Sequence, residues 1–266
     1  MALNTVKKGS LEYLTAPNMN IPHAFTTRLG GVSEGVFASF NIALHRGDSD
    51  ENVKQNYEIL ADALGFDLES LVLTRQTHSD IVRVVTKNDA RGIDHRNYPE
   101  SDALITNDAG CALVVFTADC TPILLFDQVT GAVGAVHAGW RGTAADIAGK
   151  TVRAMVAELG CHPENIRAAI GPNIGYCCFE TDRDVPEAII QTFGNEAERF
   201  IRKEGEKYRV DLKAVNALAL RRAGVENIEI SDECTMCRPD RFWSHRITGA
   251  ARGSQGAVIV CKGEVR

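Results

Sequence analysis

Along residues 49–65, "SDENVKQNYEILADALG", apolar side chains recur at Val53, Tyr57, Leu60 and Leu64. That spacing marks one face of a helix, and Gly65 supplies its stop. Residues 71–86, "LVLTRQTHSDIVRVVT", carry two short apolar runs around a polar turn that holds His78, so two strands are expected there. "CALVVFTADC" (111–120) and "PILLFD" (122–127) read as buried strands meeting at Asp119–Cys120–Thr121. "GAVGAVH" (131–137) reads as another, entered through the turn "DQVTG". A helix is expected over 143–160, with Thr143 as N-cap, Asp146 as the acid of its first turn and Gly160 at its end. Further strands are expected at "NIRAAI", "NIEIS" and "GAVIVCK", and helices at "DVPEAIIQTFG" and "DLKAVNALALRRAG". Strands and single helices alternate irregularly, which favours α+β over a regular βαβ succession. No linker, repeat or low-complexity block interrupts the pattern, so residues 1–266 are read as a single domain.

Composition narrows the partners. The chain has 29 basic and 35 acidic side chains, a net charge of −6. Such a field disfavours nucleic acid and anionic membranes, so any anion site must be local. No apolar run approaches the ~18 residues of a membrane span, and the first residues, "MALNTVKKGSLEYLTAPN", lack the apolar core of a secretory signal. The expectation is a soluble, cytoplasmic protein with reduced thiols, its oligomeric state open. Eight cysteines (Cys111, Cys120, Cys161, Cys177, Cys178, Cys234, Cys237 and Cys261) are scattered rather than framed as in a small secreted domain.

Two phosphate motifs drop out. "GTAADIAGKT" places six residues between Gly142 and Gly149 where a P-loop has four, and no strand is followed by Gly-x-Gly-x-x-Gly. Cys234 and Cys237 have metal-like spacing, but no second pair stands at zinc-ribbon distance. The sequence leaves open whether they meet Cys177 and Cys178.

His78, Cys120 and His137 each end an expected apolar strand beside a polar or glycine-rich turn. Two imidazoles and a thiolate form a zinc ligand set with a fourth position free for water or substrate. On residue grounds alone, a metal site and three unrelated structural residues weigh about equally. Cys120 as nucleophile with His137 as base is a further reading, though it leaves His78 idle. A blue-copper set is another, though no His-x-His pair accompanies it. After His137, Arg141 and a helix starting at Thr143 form a candidate oxyanion grip. Arg28, before Gly30–Gly31 in "FTTRLGGVS", and Arg46 in "NIALHRGD" are candidates for the same role, against the plainer reading of solvated charges. Trp140 either floors a nucleobase pocket or seals the core.

"FTADCTPILLFD" followed by "AVHAGWRGT" resembles the signature of the YfiH/YlmD family. Its members are called laccase-domain or multicopper polyphenol oxidase proteins, peptidoglycan editing factor and purine nucleoside phosphorylase. The resemblance extends through "FTTRLGGVS", "FNIALHRGD", "RQTHSD", "SDALIT", "AIGPNIGYCCFE" and "DRFWSHR". It implies an α+β fold of mixed sheets flanked by helices, and one zinc ion held by His78, Cys120 and His137. It also implies phosphorolysis of adenosine, inosine, guanosine and methylthioadenosine, with adenosine deamination in some members. The substrates would be a purine nucleoside and phosphate. Deamination needs an activated water at the purine C6, with Asp119 as a candidate proton carrier. Alternatives carried by the family's names are a copper oxidase of phenols and a hydrolase editing peptidoglycan precursors. Tyr176 before Cys177 and Tyr57 after Asn56 depart from the family pattern, at positions that would bear on loop shape or nucleobase choice.

Overall fold

The structure, a computed structural model, describes residues 3–263. Two six-stranded mixed sheets stack on one another. In the first the order is β1 (Asn4–Lys8), β2 (Leu11–Thr15), β3 (His23–Thr26), β15 (Gln255–Val260), β7 (Ala112–Thr117) and β4 (Leu71–Leu73). In the second it is β14 (Asn227–Ile230), β10 (Ile166–Ile170), β8 (Thr121–Asp127), β9 (Val133–Ala138), β6 (Ala103–Thr106) and β5 (Val82–Val84). Parallel pairs are confined to β4–β7, β5–β6 and β10–β14. A small antiparallel sheet joins β11 (Glu180–Thr181), β13 (Lys207–Val210) and β12 (Ile201–Glu204).

The side-chain alternation of strands builds the layers. In β8, Leu124 and Phe126 join a core shared with Leu113, Val115 and Val258 of the first sheet. Ile123 and Leu125 face the other way, into a core with Val152 and Met155 of α3 (Ile147–Leu159) and Val215 and Leu218 of α5 (Leu212–Arg222). β9 follows the same rule: Val133 and Ala135 point toward the first sheet and Val136 toward the helices. His137 therefore continues the Val133–Ala135 face. Helix α1 (Asp50–Leu64) buries Val53, Tyr57, Leu60 and Leu64 in the first core, and Gly65 ends it in the left-handed region at φ 70°. The fold is α+β, and among the described residues no helix is long and apolar enough to cross a membrane.

The expected helix over 143–160 differs in detail. The chain turns helical as soon as β9 ends, with Gly139 as N-cap of α2 (Trp140–Ala144). Thr143 lies inside that helix, its N–H donating to the Gly139 carbonyl at 2.8 Å, so it caps nothing. Asp146 then takes φ 60° and breaks the run before α3, which Gly160 closes. Strands β7 and β8 do meet through Asp119–Cys120 in the chain, but they belong to different sheets. Helices α4 (Asp184–Phe193) and α5 fall where the sequence places them, α5 capped by the Asp211 carboxylate on the Ala214 N–H. The short α6 (His245–Thr248) and strands β1–β3 and β11–β13 carry no clear period; β1 is exposed over most of its length.

Candidate metal centre and its cavity

The chain passes from the first sheet to the second between β4 and β5, and again between β7 and β8. His78 sits in the first passage and Cys120 ends the second, while His137 lies on β9 opposite Pro122 of β8. Both passages contain a residue in left-handed backbone, His78 at φ 60° and Asp119 at φ 87°. For a residue with a Cβ this costs about 1–3 kcal/mol and persists only where the surroundings hold it. Here the His78 N–H donates to an Asp102 carboxylate oxygen at 3.2 Å, and the Asp119 carbonyl accepts from the Ile174 N–H at 2.9 Å.

One ligand atom from each of His78, Cys120 and His137 lies within 4.8 Å of the other two. Cys120 Sγ is 3.8 Å from His78 Nε2. A tetrahedron with Zn–S and Zn–N bonds of ordinary length has an S···N edge of about 3.6 Å, so the donors fit a metal with little movement. Gly139 makes room for them: a Cβ there would stand 2.8 Å from His78 Cδ2 and 3.2 Å from Cys120 Sγ.

Asp102, fully buried at the entrance of β6, organises the group. Its carboxylate accepts from His137 Nδ1 at 2.7 Å, from the Ser79 N–H at 2.8 Å and hydroxyl at 2.6 Å, and from the Thr77 and His78 N–H groups. An ionised carboxylate only accepts, so Nδ1 of His137 carries a proton and Nε2 is left for a metal. Burial pushes the Asp102 pKa up, but the hydrogen bonds from His137 and Ser79 win and hold it near 2. Burial likewise opposes the charged forms of Cys120 and His137. Their mutual attraction, with Asp102 behind His137, lowers the thiol to about 6 and raises the imidazole to about 9. Both shifts favour the thiolate–imidazolium form of the pair.

The three donors open onto a cavity of about 380 Å³, whose lining includes the polar Arg46, Arg246, Arg252 and His245 and the apolar Phe116, Ile174 and Phe179. Arg252 is buried; its Nη1 donates to the Gly253 carbonyl at 2.8 Å and Ser254 Oγ at 3.0 Å, while its Nε has no partner. Burial, then the charge of Arg46, lowers its pKa to about 10. Among the described residues Arg46, Arg246 and Arg252 all line the cavity without a carboxylate at ion-pair distance, while the charges of Asp119 and Cys120 act on Arg252 from further off.

The residues singled out from sequence divide. Arg46 lines the cavity, and so does Asp119. The Asp119 carboxylate is engaged, accepting from Thr235 Oγ1 at 2.6 Å, the Arg246 N–H at 2.7 Å and Ser244 Oγ at 3.1 Å. Arg28 is elsewhere, its guanidinium bonded to the carbonyls of Ala38 and Pro239 and stacked 3.9 Å above Trp243. Arg141 is exposed on the Trp140 ring at 4.3 Å, and Thr143 is buried with its hydroxyl accepting from Asn216 Nδ2. None of these three is among the residues lining the cavity. Trp140 packs against the helix-side core, and Tyr57 is fully buried in the other. Asp102 and Arg252 were missed. A lone acid between Ser101 and the apolar "ALIT" signals the first; nothing in "GAARGSQG" signals the second.

An α+β protein in which His78 and Cys120 at sheet crossovers and His137 on β9 converge as a candidate two-histidine, one-cysteine donor set is the class these features define. The sequence model of the family described as multi-copper polyphenol oxidoreductase laccase matches residues 22–262, and the chain belongs to that family. It is 40% identical over 241 residues to the purine nucleoside phosphorylase YlmD of Geobacillus stearothermophilus, covering 88% of this chain and 86% of that one. It is 37% identical over 237 residues to adenosine deaminase RL5 from an unidentified prokaryote, covering 86% and 90%. The crystal structure of a Bacillus licheniformis protein titled hypothetical protein YfiH superimposes with a TM-score of 0.91 at 34% identity, over 98% of this chain and 99% of that one.

Proposed function

We propose that the chain is a zinc-dependent purine nucleoside phosphorylase, acting in the cytoplasm on a purine nucleoside and inorganic phosphate. The observation that carries this reading is that the His78–Cys120–His137 donors and the cations Arg46 and Arg252 face one cavity. In phosphorolysis the phosphate attacks the ribose anomeric carbon while the purine departs, through an oxocarbenium-like transition state. Arg46 and Arg252, both among the residues lining the cavity, hold and orient the phosphate by charge-assisted hydrogen bonds. Phe116, Ile174 and Phe179 offer the purine an apolar wall. His78, Cys120 and His137 would hold a zinc ion, which would supply Lewis-acid polarisation of a substrate oxygen. Arg46 and Arg252 take the phosphate role in place of Arg28, Arg141 and Thr143, whose own partners hold them elsewhere. Asp119 becomes a positioning residue that fixes Ser244 and the Arg246 backbone beside the cavity.

The test is conversion of inosine and phosphate to hypoxanthine and ribose 1-phosphate, followed by chromatography. Activity that requires phosphate, falls with chelation and returns with zinc supports the reading. Full activity in metal-depleted His137→Ala overturns it.

Adenosine deamination in the same cavity is the second reading, favoured by the similarity to adenosine deaminase RL5. Ammonia release from adenosine without phosphate reads it out. A multicopper centre is disfavoured by the donors themselves. Among the described residues the two clusters able to hold a metal contain only two histidines between them. The amide oxygen of Gln76, a possible axial ligand for blue copper, is taken by Thr74 Oγ1 at 2.8 Å and the Phe116 N–H at 2.7 Å.

A further inference from the structure

Strands β10 and β14 run parallel side by side, so the loops leaving their carboxyl ends emerge together. The first loop carries Cys177 and Cys178, the second Cys234 and Cys237, and an isolated bridge between Asn173 and Cys234 ties them at their bases. The four sulfurs all lie within 4.8 Å of one another. Cys237 Sγ is 3.4 Å from Cys178 Sγ and 3.6 Å from Cys177 Sγ. None of the four is in a disulfide. The second pair missing from the linear sequence is thus supplied by sheet pairing.

We propose that Cys177, Cys178, Cys234 and Cys237 form a second metal site, a closed tetrathiolate that binds zinc in a structural role. A tetrahedral zinc with four thiolates at ordinary bond length has S···S edges of about 3.8 Å, close to the separations already present. All four positions are filled by protein, which is the signature of a structural rather than a catalytic ion. The surroundings suit such a centre. The Gly175 N–H donates to Cys234 Sγ at 3.1 Å, and the missing side chain of Gly175 lets the loop close over the sulfurs. A Cβ there would sit 3.1 Å from the Cys234 Cβ and 3.3 Å from the sulfurs of Cys177 and Cys234. Four thiolates around Zn²⁺ leave a net charge of −2. The buried ammonium of Lys213 shares a small pocket with Cys177 and Cys234 as well as Asp211 and Asp232; it donates to the carbonyls of Ser231 and Glu233 at 2.7 and 2.6 Å, and its charge offsets part of the thiolate charge.

The site fastens a wall of the first cavity. Ile174 and Phe179, on the Cys177–Cys178 loop, line that cavity, and Thr235, between Cys234 and Cys237, holds the Asp119 carboxylate. The four-cysteine ion would keep both loops in place without touching substrate.

Native mass spectrometry of the purified full chain after zinc loading and desalting tests this, beside Cys178→Ser/Cys237→Ser and His137→Ala. Two zinc ions per chain in the unaltered protein and one in each variant are expected. Cobalt(II) placed in His137→Ala should show the intense visible bands and sulfur charge transfer of a four-thiolate tetrahedron. Should the cysteine variant fail to fold, zinc X-ray absorption of the unaltered protein decides. Sulfur-dominated coordination is expected, since five of the seven protein ligands at two sites would be thiolates. No zinc retained in His137→Ala, or a Cys234–Cys237 disulfide in protein kept under reductant, would overturn the proposal.

Discussion

The Asp102 carboxylate and His137 Nδ1 stand 2.7 Å apart almost out of reach of solvent, Asp102 being fully buried and His137 3% exposed. The Asp102 carboxylate thereby sets the tautomer of His137 and, through the three backbone N–H groups of Thr77, His78 and Ser79, the loop that carries His78. Asp102→Asn keeps the volume but turns one acceptor into an NH₂ facing donors. Zinc affinity, measured by competition with a chelating dye, is expected to fall about 10–100-fold, the usual cost of losing a carboxylate behind a metal-bound histidine. Unchanged affinity would show that the carboxylate does not orient His137.

The thiol lowered to about 6 gives a pH signature to the metal-free protein. A depressed pKa means that the thiolate is present above that value and is lost as pH falls through it. Alkylation of Cys120 by iodoacetamide, followed by peptide mass mapping, should reach half its plateau near pH 6, and stoichiometric zinc should protect the residue. Burial pushes Cys111 up to about 12 and Cys161 up to about 11, so both should stay unreactive at neutral pH. A Cys120 midpoint at the ordinary thiol value near 8.5 would remove the paired thiolate from the account.

Gly139→Ala is a steric test of the donor geometry. The added methyl would meet His78 Cδ2 at 2.8 Å and the sulfur of Cys120 at 3.2 Å, and His78 lies exposed enough to be displaced. Gly139 has φ −67°, so the backbone tolerates alanine. Zinc binding should weaken at least tenfold, while far-ultraviolet circular dichroism stays that of the parent chain.

What the sequence made legible follows from where periodicity is strong. Helices α1, α4 and α5 and strands β8, β9, β10 and β15 pack one clean face, or lie wholly buried, and their apolar spacing shows it. That His78, Cys120 and His137 converge was legible for a different reason: each ends an apolar run beside a turn, where packing alone does not account for an imidazole or thiol. The phosphate side was not. Arg28, Arg141 and Thr143 stand beside glycines as promising anion ligands do. Their real partners are the Ala38 and Pro239 carbonyls, the Trp140 ring and Asn216, set by contacts up to 211 residues away in the chain. The pairing of the four cysteines was hidden likewise, because it depends on which strands become neighbours.

Arg46 separates substrate binding from metal binding. It lines the cavity, is exposed and is not a donor to the metal. Arg46→Ala is expected to raise the KM for phosphate by about tenfold or more, the worth of one charge-assisted hydrogen bond. Zinc content and thermal midpoint should stay at parental values. An unchanged phosphate KM would move the anion site away from Arg46.

Asp119 distinguishes positioning from proton transfer. With three donors on its carboxylate, Asp119→Asn should lower kcat less than tenfold and leave the pH–rate profile in shape. A loss of about 10²–10⁴, as expected for a general acid or base, with one limb of the profile abolished, would make Asp119 the proton carrier.

The most direct test of the central claim is ribose 1-phosphate formation from inosine and phosphate while zinc is titrated into the chelated protein. His137→Ala is measured in parallel. The account predicts that activity rises with occupancy of the His78–Cys120–His137 site, and that His137→Ala stays inactive even after it takes up zinc at the cysteine cluster. Phosphorolysis at full rate in the chelated protein, or in His137→Ala, would contradict it.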